Sequence, residues 1–175
     1  MIAENIKMTI FSKDYLGLTE DFKVNPNSCG NADYYERYLK EQALIDQDNG
    51  LCVTHVFVRL NPSNQVDKII GYITLSASSL NIRDNKDDFG NFPAIKIEYI
   101  AIDIHFERRG IGTKLLNHTI FVAEALRRNY IGIAYIVVCA DLDAVGLYTK
   151  YGFEKCASEK RSNAPYNINM ILELA

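Results

Sequence analysis

The sequence has no apolar run near the ~20 residues a membrane-spanning helix needs. Its first stretch, Met1–Phe11, carries neither the basic start nor the small-residue cleavage site of a secretory signal. A cytoplasmic protein with no membrane association is the expectation. Cysteine is sparse: Cys29, Cys52, Cys139 and Cys156 stand far apart without a C-x-x-C pair, which argues against a zinc site, any other metal centre or a disulfide framework. Cys52 and Cys139 lie in apolar, strand-like runs and are expected to pack in the core. There is no excess of positive charge. The net charge of −3 gives no global attraction to nucleic acid, so binding would require a local basic patch. No repeat, low-complexity tract or linker divides the 175 residues, and one domain over 1–175 is expected.

Local patterns then order the chain. Lys7–Phe11 reads as a short strand, and Asp14–Gly30 as a turn-rich stretch broken at Asn25-Pro26-Asn27-Ser28. Asn31 is a good N-cap for a helix reaching about Ile45, with Tyr34, Tyr35, Tyr38, Leu39 and Ile45 at near-helical spacing; such a stripe reads first as a packing face. Leu51–Leu60 and Lys68–Ala77 form a hairpin around Asn61-Pro62-Ser63-Asn64. His55 is either a half-exposed strand histidine or a base. Asn81–Asn91, with Arg83, Asp84, Lys86, Asp87 and Asp88, is a surface loop: a lid, or a solvated connection. Ala94–Asp103 is a strand, and about Gly110–Arg128 a helix with Ile111, Leu115, Leu116, Ile120, Ala123 and Leu126 on its apolar face and His118 at the edge. Ile131–Ala140 is nearly all apolar and reads as a strand buried on both faces. Asp141 caps a short helix, Leu142–Lys150, ended at Tyr151-Gly152. Phe153–Ala157 and Asn167–Leu174 are the last strands. The pattern is a mixed α/β chain.

The informative stretch is Ile97–Lys114. A strand leads into Arg108-Arg109-Gly110-Ile111-Gly112-Thr113, where a helix begins. A helix N-terminus has backbone N–H groups without intrahelical partners and the positive end of the dipole, a ready anion site. The pattern departs from a dinucleotide fingerprint, because Leu115 stands where a third glycine is needed and the motif falls past mid-chain. It also lacks the G-K-[ST] of a Walker loop.

A second block, Asp141-Leu142-Asp143-Ala144-Val145-Gly146-Leu147-Tyr148-Thr149-Lys150-Tyr151-Gly152-Phe153, adds what the glycines alone do not supply. Together the two blocks resemble the GNAT superfamily of acyl-CoA-dependent N-acetyltransferases. Its pyrophosphate motif, Gln/Arg-x-x-Gly-x-Gly/Ala, is matched by Glu107-Arg108-Arg109-Gly110-Ile111-Gly112. Its second motif, Asn-x-x-Ala-x-x-x-Tyr-x-x-x-Gly-Phe, is matched by Asp141, Ala144, Tyr148, Gly152 and Phe153. The resemblance implies a central mixed, mostly antiparallel twisted sheet flanked by helices, with acetyl-CoA as cosubstrate. It also implies direct attack of a primary amine on the thioester. The pantetheine arm would pair with the backbone of Ile100, Ala101 and Ile102. The pyrophosphate would sit on residues 108–113, with Arg108, Arg109, Gly110, Ile111, Gly112 and Thr113 around it. Tyr148 would be the general acid beside the sulfur, and Glu98, on the same strand, is a weaker candidate for a base. Glu107 and Asp141 stand where the family has Gln or Arg and Asn.

The N-terminal half resembles one subgroup more narrowly. Phe22 with Cys29-Gly30-Asn31, Tyr38-Leu39, Gly71-Tyr72-Ile73-Thr74-Leu75-Ser76, Pro93-Ala94-Ile95-Lys96 and Asn169-Met170-Ile171-Leu172 look like the toxin-type acetyltransferases of bacterial toxin–antitoxin pairs. That resemblance implies the α-amino group of aminoacyl-tRNA as acceptor, an antitoxin protein as partner, and a homodimer as a common assembly. An α-amino group has a pKa of ~8, and an ester neighbour should lower it further, so much of it is already neutral at cellular pH. RNA binding would then fall to a basic cluster drawn from Arg83, Lys86, Arg108, Arg109, Lys150, Lys155, Lys160 and Arg161. Acetylation of a small-molecule amine or a protein N-terminus is the alternative, and a non-catalytic acyl-CoA-binding regulator the third reading.

Overall fold

A computed structural model of the chain describes residues 5–27, 30–83, 89–156 and 167–174. Cys29, the centre of the Asn81–Asn91 stretch with Lys86, and Lys160 and Arg161 lie outside them. Among the described residues seven strands hydrogen-bond in the order β1-β2-β3-β4-β5-β7-β6. These are β1 Ile6–Ile10, β2 Val53–Leu60, β3 Val66–Arg83, β4 Phe89–Ile102, β5 Tyr135–Asp141, β6 Glu154–Lys155 and β7 Asn167–Glu173. The helices are α1 Ala32–Arg37, α2 Ala43–Asp48, α3 Ile111–Asn129 and α4 Val145–Lys150. The β4–β5 pairing is parallel, while β1–β2, β2–β3, β5–β7 and β6–β7 are antiparallel, a mixed and mostly antiparallel sheet. The chain divides into two compact units, one of residues 1–75 and 99–115, the other of 76–98 and 116–175.

In the first unit, β1 lies against β2 with Ile6 opposite Arg59 and Ile10 opposite His55. The β2–β3 hairpin turns where Asn61-Pro62-Ser63-Asn64 demands it. Asn64 takes a left-handed φ of 60°, and the Asn61 N–H donates to the Gln65 carbonyl at 2.8 Å. Phe11, Phe22, Leu39, Ala43, Val56, Val58, Ile69 and Tyr72 form the core. A 3₁₀ turn, Lys13–Thr19, occupies part of the stretch expected to be turn-rich. The helix expected from Asn31 to Ile45 is present but interrupted. Asn31 (φ −115°, ψ 31°) makes no capping bond through its side chain, and a π-helical turn, Tyr38–Gln42, separates α1 from α2. That wider turn shifts the phase of the face. Tyr38, Leu39 and Ala43 are buried, whereas Ile45, the last of the expected stripe, is 52% exposed.

In the second unit, β5 pairs with β4 from Ala94↔Tyr135 to Ile97↔Val138 and with β7 from Tyr135↔Glu173 to Asp141↔Asn167. Here the expectation of a doubly buried strand fails. Burial alternates along β5, with Ile136, Val138 and Ala140 buried and Val137 half-buried. Cys139 is exposed rather than in the core, whereas Cys52, in the first unit, is buried as expected. One face of β5 is covered and the other is open. The two ends of the surface loop expected over Asn81–Asn91 are strand, since β3 runs to Arg83 and β4 starts at Phe89, and residues 84–88 between them lie outside the described residues. A side-chain hydrogen bond, Asn81 Nδ2 donating to Asn91 Oδ1 at 3.0 Å, links the two strands there. The apolar face of α3 is as patterned, with Leu116 and Ala123 buried, and its last turn is closed by Arg127 and Arg128 on Glu124 at 3.6 and 3.3 Å.

Candidate active site

In the first unit β4 ends at Ile102, and the chain turns into the start of α3 through Asp103 and a 3₁₀ turn, Ile104–Phe106. Two residues in the next turn have left-handed backbones, Arg108 at φ 58° and Gly110 at φ 79°. Glycine adopts this geometry at no steric cost, and the bend lets Gly110 deliver the chain to the first turn of α3, where its carbonyl accepts the Lys114 N–H at 3.1 Å. The N–H groups of the turn before that bond are left to an external acceptor by helix geometry, and they collect the positive end of a 19-residue helix. Gly71 on β3 permits the close approach of this helix. A Cβ there would meet Ile111 Cγ2 at 3.1 Å and the Ala101 carbonyl at 3.2 Å.

Cations gather on the Phe106 ring. The Arg109 guanidinium lies 5.1 Å from its centroid, and Arg59 and Lys68 each lie 5.8 Å away. Arg59 is paired with Asp67 at 2.9 Å, and Lys68 with the fully buried Asp103 at 3.3 Å. Arg59 in turn holds the Asp67 carboxyl below the usual carboxylate range. Asp103 accepts the backbone N–H groups of Lys23 at 3.2 Å and His105 at 3.1 Å, so it joins the strap before α1 to the base of the anion turn. Glu107 is bound the same way: Asn25 Nδ2 donates to its Oε2 at 2.9 Å.

In the second unit, Tyr148 on α4 is 1% exposed and packs edge-on to Phe153, with ring centroids 5.3 Å apart. Burial, then the negative charge of Asp141, pushes its phenol well above the usual tyrosine value. Its proton therefore stays in place at neutral pH. Asp141 precedes a 3₁₀ turn, Leu142–Ala144, and makes no capping bond there through its side chain, contrary to the expected cap. Glu98 accepts the Ser76 hydroxyl at 2.7 Å and pairs with Lys96 at 2.7 Å. The parallel ladder between β4 and β5 ends at Ile97↔Val138, although β4 continues to Ile102 and β5 to Asp141.

A family model described as the acetyltransferase (GNAT) family matches residues 16–153. The chain belongs to the GNAT acetyltransferase family. Enzymes of this family use acetyl-CoA, and the seven-stranded mixed sheet of the described residues is of their kind. Among solved structures, AtaT complexed with acetyl-methionyl-tRNAfMet is 18% identical, with a TM-score of 0.78 over 97% of this chain and 95% of that one. A mutant AtaT toxin bound to the C-terminus of the antitoxin AtaR and acetyl-CoA is 20% identical, with a TM-score of 0.71 over 97% and 94%. A mutant of KacT is 18% identical, with a TM-score of 0.75 over 96% and 94%. These likenesses establish the fold.

For the acetyltransferase, the residues picked out in the sequence fall into two groups. Ile100, Ala101 and Ile102 lead through Asp103 into Arg108, Arg109, Gly110, Ile111, Gly112 and Thr113 in the first unit. Asp141 acts electrostatically on Tyr148, and Glu98 is held by Ser76 and Lys96, in the second. His55 is half-buried in β2, and burial lowers the pKa of His118 on α3. Sequence reasoning missed Asn25, Lys68, Asp103, Ser76 and Lys96. A carboxylate at 107 beside an anion turn was the signal that a donor such as Asn25 must hold it. Among the described residues no three His, Cys, Asp or Glu side chains converge as metal ligands, and no helix is long and apolar enough to cross a membrane.

Proposed function

We propose that this acetyltransferase moves the acetyl group of acetyl-CoA to a primary amine by direct attack on the thioester, and that the amine is the α-amino group of aminoacyl-tRNA. Residues 1–175 act as one catalytic domain, in the cytoplasm. The observation that carries the reading is the left-handed turn at Arg108 and Gly110 opening α3, an anion cradle of the kind a pyrophosphate needs. Arg108 and Arg109 supply fixed charge there, Gly110, Ile111 and Gly112 supply backbone N–H groups, and Thr113 adds a hydroxyl. The backbone of Ile100, Ala101 and Ile102, beyond the end of the β4–β5 ladder, pairs with the pantetheine amides.

The neutral amine attacks the thioester carbonyl, forming the C–N bond. The intermediate then expels the CoA sulfur, and the phenol of Tyr148 donates the proton that the thiolate takes up. The amine's own proton leaves to water or to a base. Burial and Asp141 keep the phenol protonated, so the proton is available at neutral pH, while making it a weaker acid than a free tyrosine. Glu98 serves less well as a base than as an anchor, because Ser76 and Lys96 already occupy its carboxylate. An acceptor α-amine, whose pKa of ~8 is lowered further by its own ester, needs less help from a base than a lysine amine would.

The complexes of AtaT with acetyl-methionyl-tRNAfMet and with the C-terminus of the antitoxin AtaR support the finer reading, a toxin with an antitoxin partner; a homodimer is the assembly proposed with it. The net charge of −3 favours a second reading, a small-molecule or protein N-terminal amine. Acetyl-CoA incubated with aminoacyl-tRNA or with simple amines, read by release of free thiol, tests both. Thiol release with aminoacyl-tRNA, lost in Tyr148→Phe, is the expected result. Measurable CoA binding without thiol release for any acceptor would leave only an acyl-CoA-binding regulator.

A further inference from the structure

Asp103 places a carboxylate in the first unit with none of its surface exposed. A buried ion pair is weak support for stability, because lost hydration offsets most of the Coulomb attraction. What such a group supplies is a fixed arrangement of the segments that bond it. Asp103 bonds three. Its Oδ2 accepts the Lys23 N–H at 3.2 Å and pairs with the Lys68 ammonium at 3.3 Å, and its Oδ1 accepts the His105 N–H at 3.1 Å. Its own N–H donates to the Ile70 carbonyl at 3.0 Å, so backbone and side chain both tie it to β3.

The segments it joins lead to the anion turn. The Asp103 carbonyl accepts the Phe106 N–H at 2.8 Å and closes the 3₁₀ turn whose Phe106 ring carries the Arg109 guanidinium. The Lys23 carbonyl accepts the Ile104 N–H at 2.7 Å, and Asn25 donates to Glu107. The strap Lys23–Asn25 is therefore bonded to Asp103, Ile104 and Glu107 on the way to Arg108 and Gly110. Glu36 of α1 holds the same strap from a second element. Its Oε1 accepts the Val24 N–H at 2.8 Å and its Oε2 pairs with the Lys23 ammonium at 2.9 Å.

We propose that Asp103 is a positioning residue for the acyl donor: through the strap and Phe106 it holds the turn at Arg108–Gly110 in the form that receives the pyrophosphate, with Glu36 as its second anchor. The proposal rests on the acetyl-CoA reading given above, and it involves neither the acceptor nor the reacting thioester. A pyrophosphate gripped by several backbone N–H groups loses them together when the turn shifts. The consequence is selective. A donor that carries a pyrophosphate feels the loss of Asp103, and a donor without one does not.

The test compares acetyl-CoA with acetyl-pantetheine, which has the thioester but no pyrophosphate, using the full chain and methionyl-tRNA or methionine amide as acceptor. Asp103→Asn keeps the size of the side chain and removes the charge that Lys68 and the two N–H groups bind. It is expected to lower kcat/KM for acetyl-CoA at least about tenfold, and that for acetyl-pantetheine less than about threefold. Glu36→Ala, at a side chain 20% exposed, should shift the donor ratio the same way by about three- to fivefold. It decides the question if thermal unfolding shows that Asp103→Asn does not fold. An equal loss with both donors in a folded variant, or no loss with either, would overturn the assignment, because a merely structural role does not distinguish the donors. Wild type that binds CoA without releasing thiol would end the transferase reading alone. Calorimetry would then decide the positioning role: the Kd for CoA should rise at least about tenfold in Asp103→Asn, and an unchanged Kd would overturn it.

Discussion

Asn25 reconciles Glu107 with an anion site. A carboxylate one residue before Arg108 would repel a pyrophosphate if it faced the turn, but its Oε2 is held by the Asn25 amide at 2.9 Å. Asn25→Ala removes that bond and is expected to raise the KM for acetyl-CoA about five- to tenfold with kcat little changed, which steady-state kinetics will show. Glu107→Gln keeps an acceptor oxygen for Asn25 and removes the charge, so its KM should stay near wild type. Tyr148 carries the second residue-scale prediction. Burial and Asp141 raise its pKa, so the native state keeps a proton that the unfolded chain releases above about pH 10. The raised folded value means that stability falls as pH climbs past that point. Asp141→Asn removes the second cause and should move the alkaline limb of the kcat profile to lower pH. Tyr148 and Gly110 were legible because their neighbours in sequence form motifs. Asn25 and Asp103 were not, because Asn25 meets Glu107 and Lys23 meets Asp103 across 82 and 80 residues of chain.

Among the elements, α3 was the most legible and β5 the least. Ile111, Leu115, Leu116 and Ala123 repeat at helical spacing and are buried. The run Ile131–Ala140 is apolar throughout, yet Ile131 is 57% exposed and Cys139 faces an open cavity. Composition alone does not tell a face covered by protein from one lining a cavity. The helix at Ala32–Asp48 was found, but its π turn was not. A single widened turn leaves the residue types unchanged and moves only the face they share. His118 at the edge of α3 gives a pH test of that element. Burial lowers its pKa, so below about pH 6.5 the unfolded chain takes up a proton more readily than the native one. Stability should fall as pH drops from about 6.5, and His118→Gln should flatten that slope in thermal unfolding.

For the whole molecule, two short motifs in the right order were enough to expect the fold and the family, which the match over residues 16–153 bears out. The division into two compact units was not visible in the sequence, because each unit takes residues from separate stretches of the chain. Net charge was a poor guide to where an anion can sit. At −3 overall, the chain still sets Arg59, Lys68 and Arg109 around one phenylalanine beside the anion turn. Contacts of that kind with RNA phosphates make affinity fall steeply with salt. The KM for aminoacyl-tRNA should therefore rise between about 50 and 200 mM salt by an order of magnitude or more, while that for a small neutral amine changes little.

The central claim is that the Tyr148-bearing site acetylates the α-amino group of an aminoacyl-tRNA. The direct measurement is mass analysis of the amino acid released from tRNA after incubation with acetyl-CoA and either wild type or Tyr148→Phe. The account predicts N-acetyl amino acid with wild type and a drop of roughly 10² or more in its rate of formation with the variant. Unmodified amino acid after wild-type treatment, from an enzyme that releases thiol with simple amines, would contradict it.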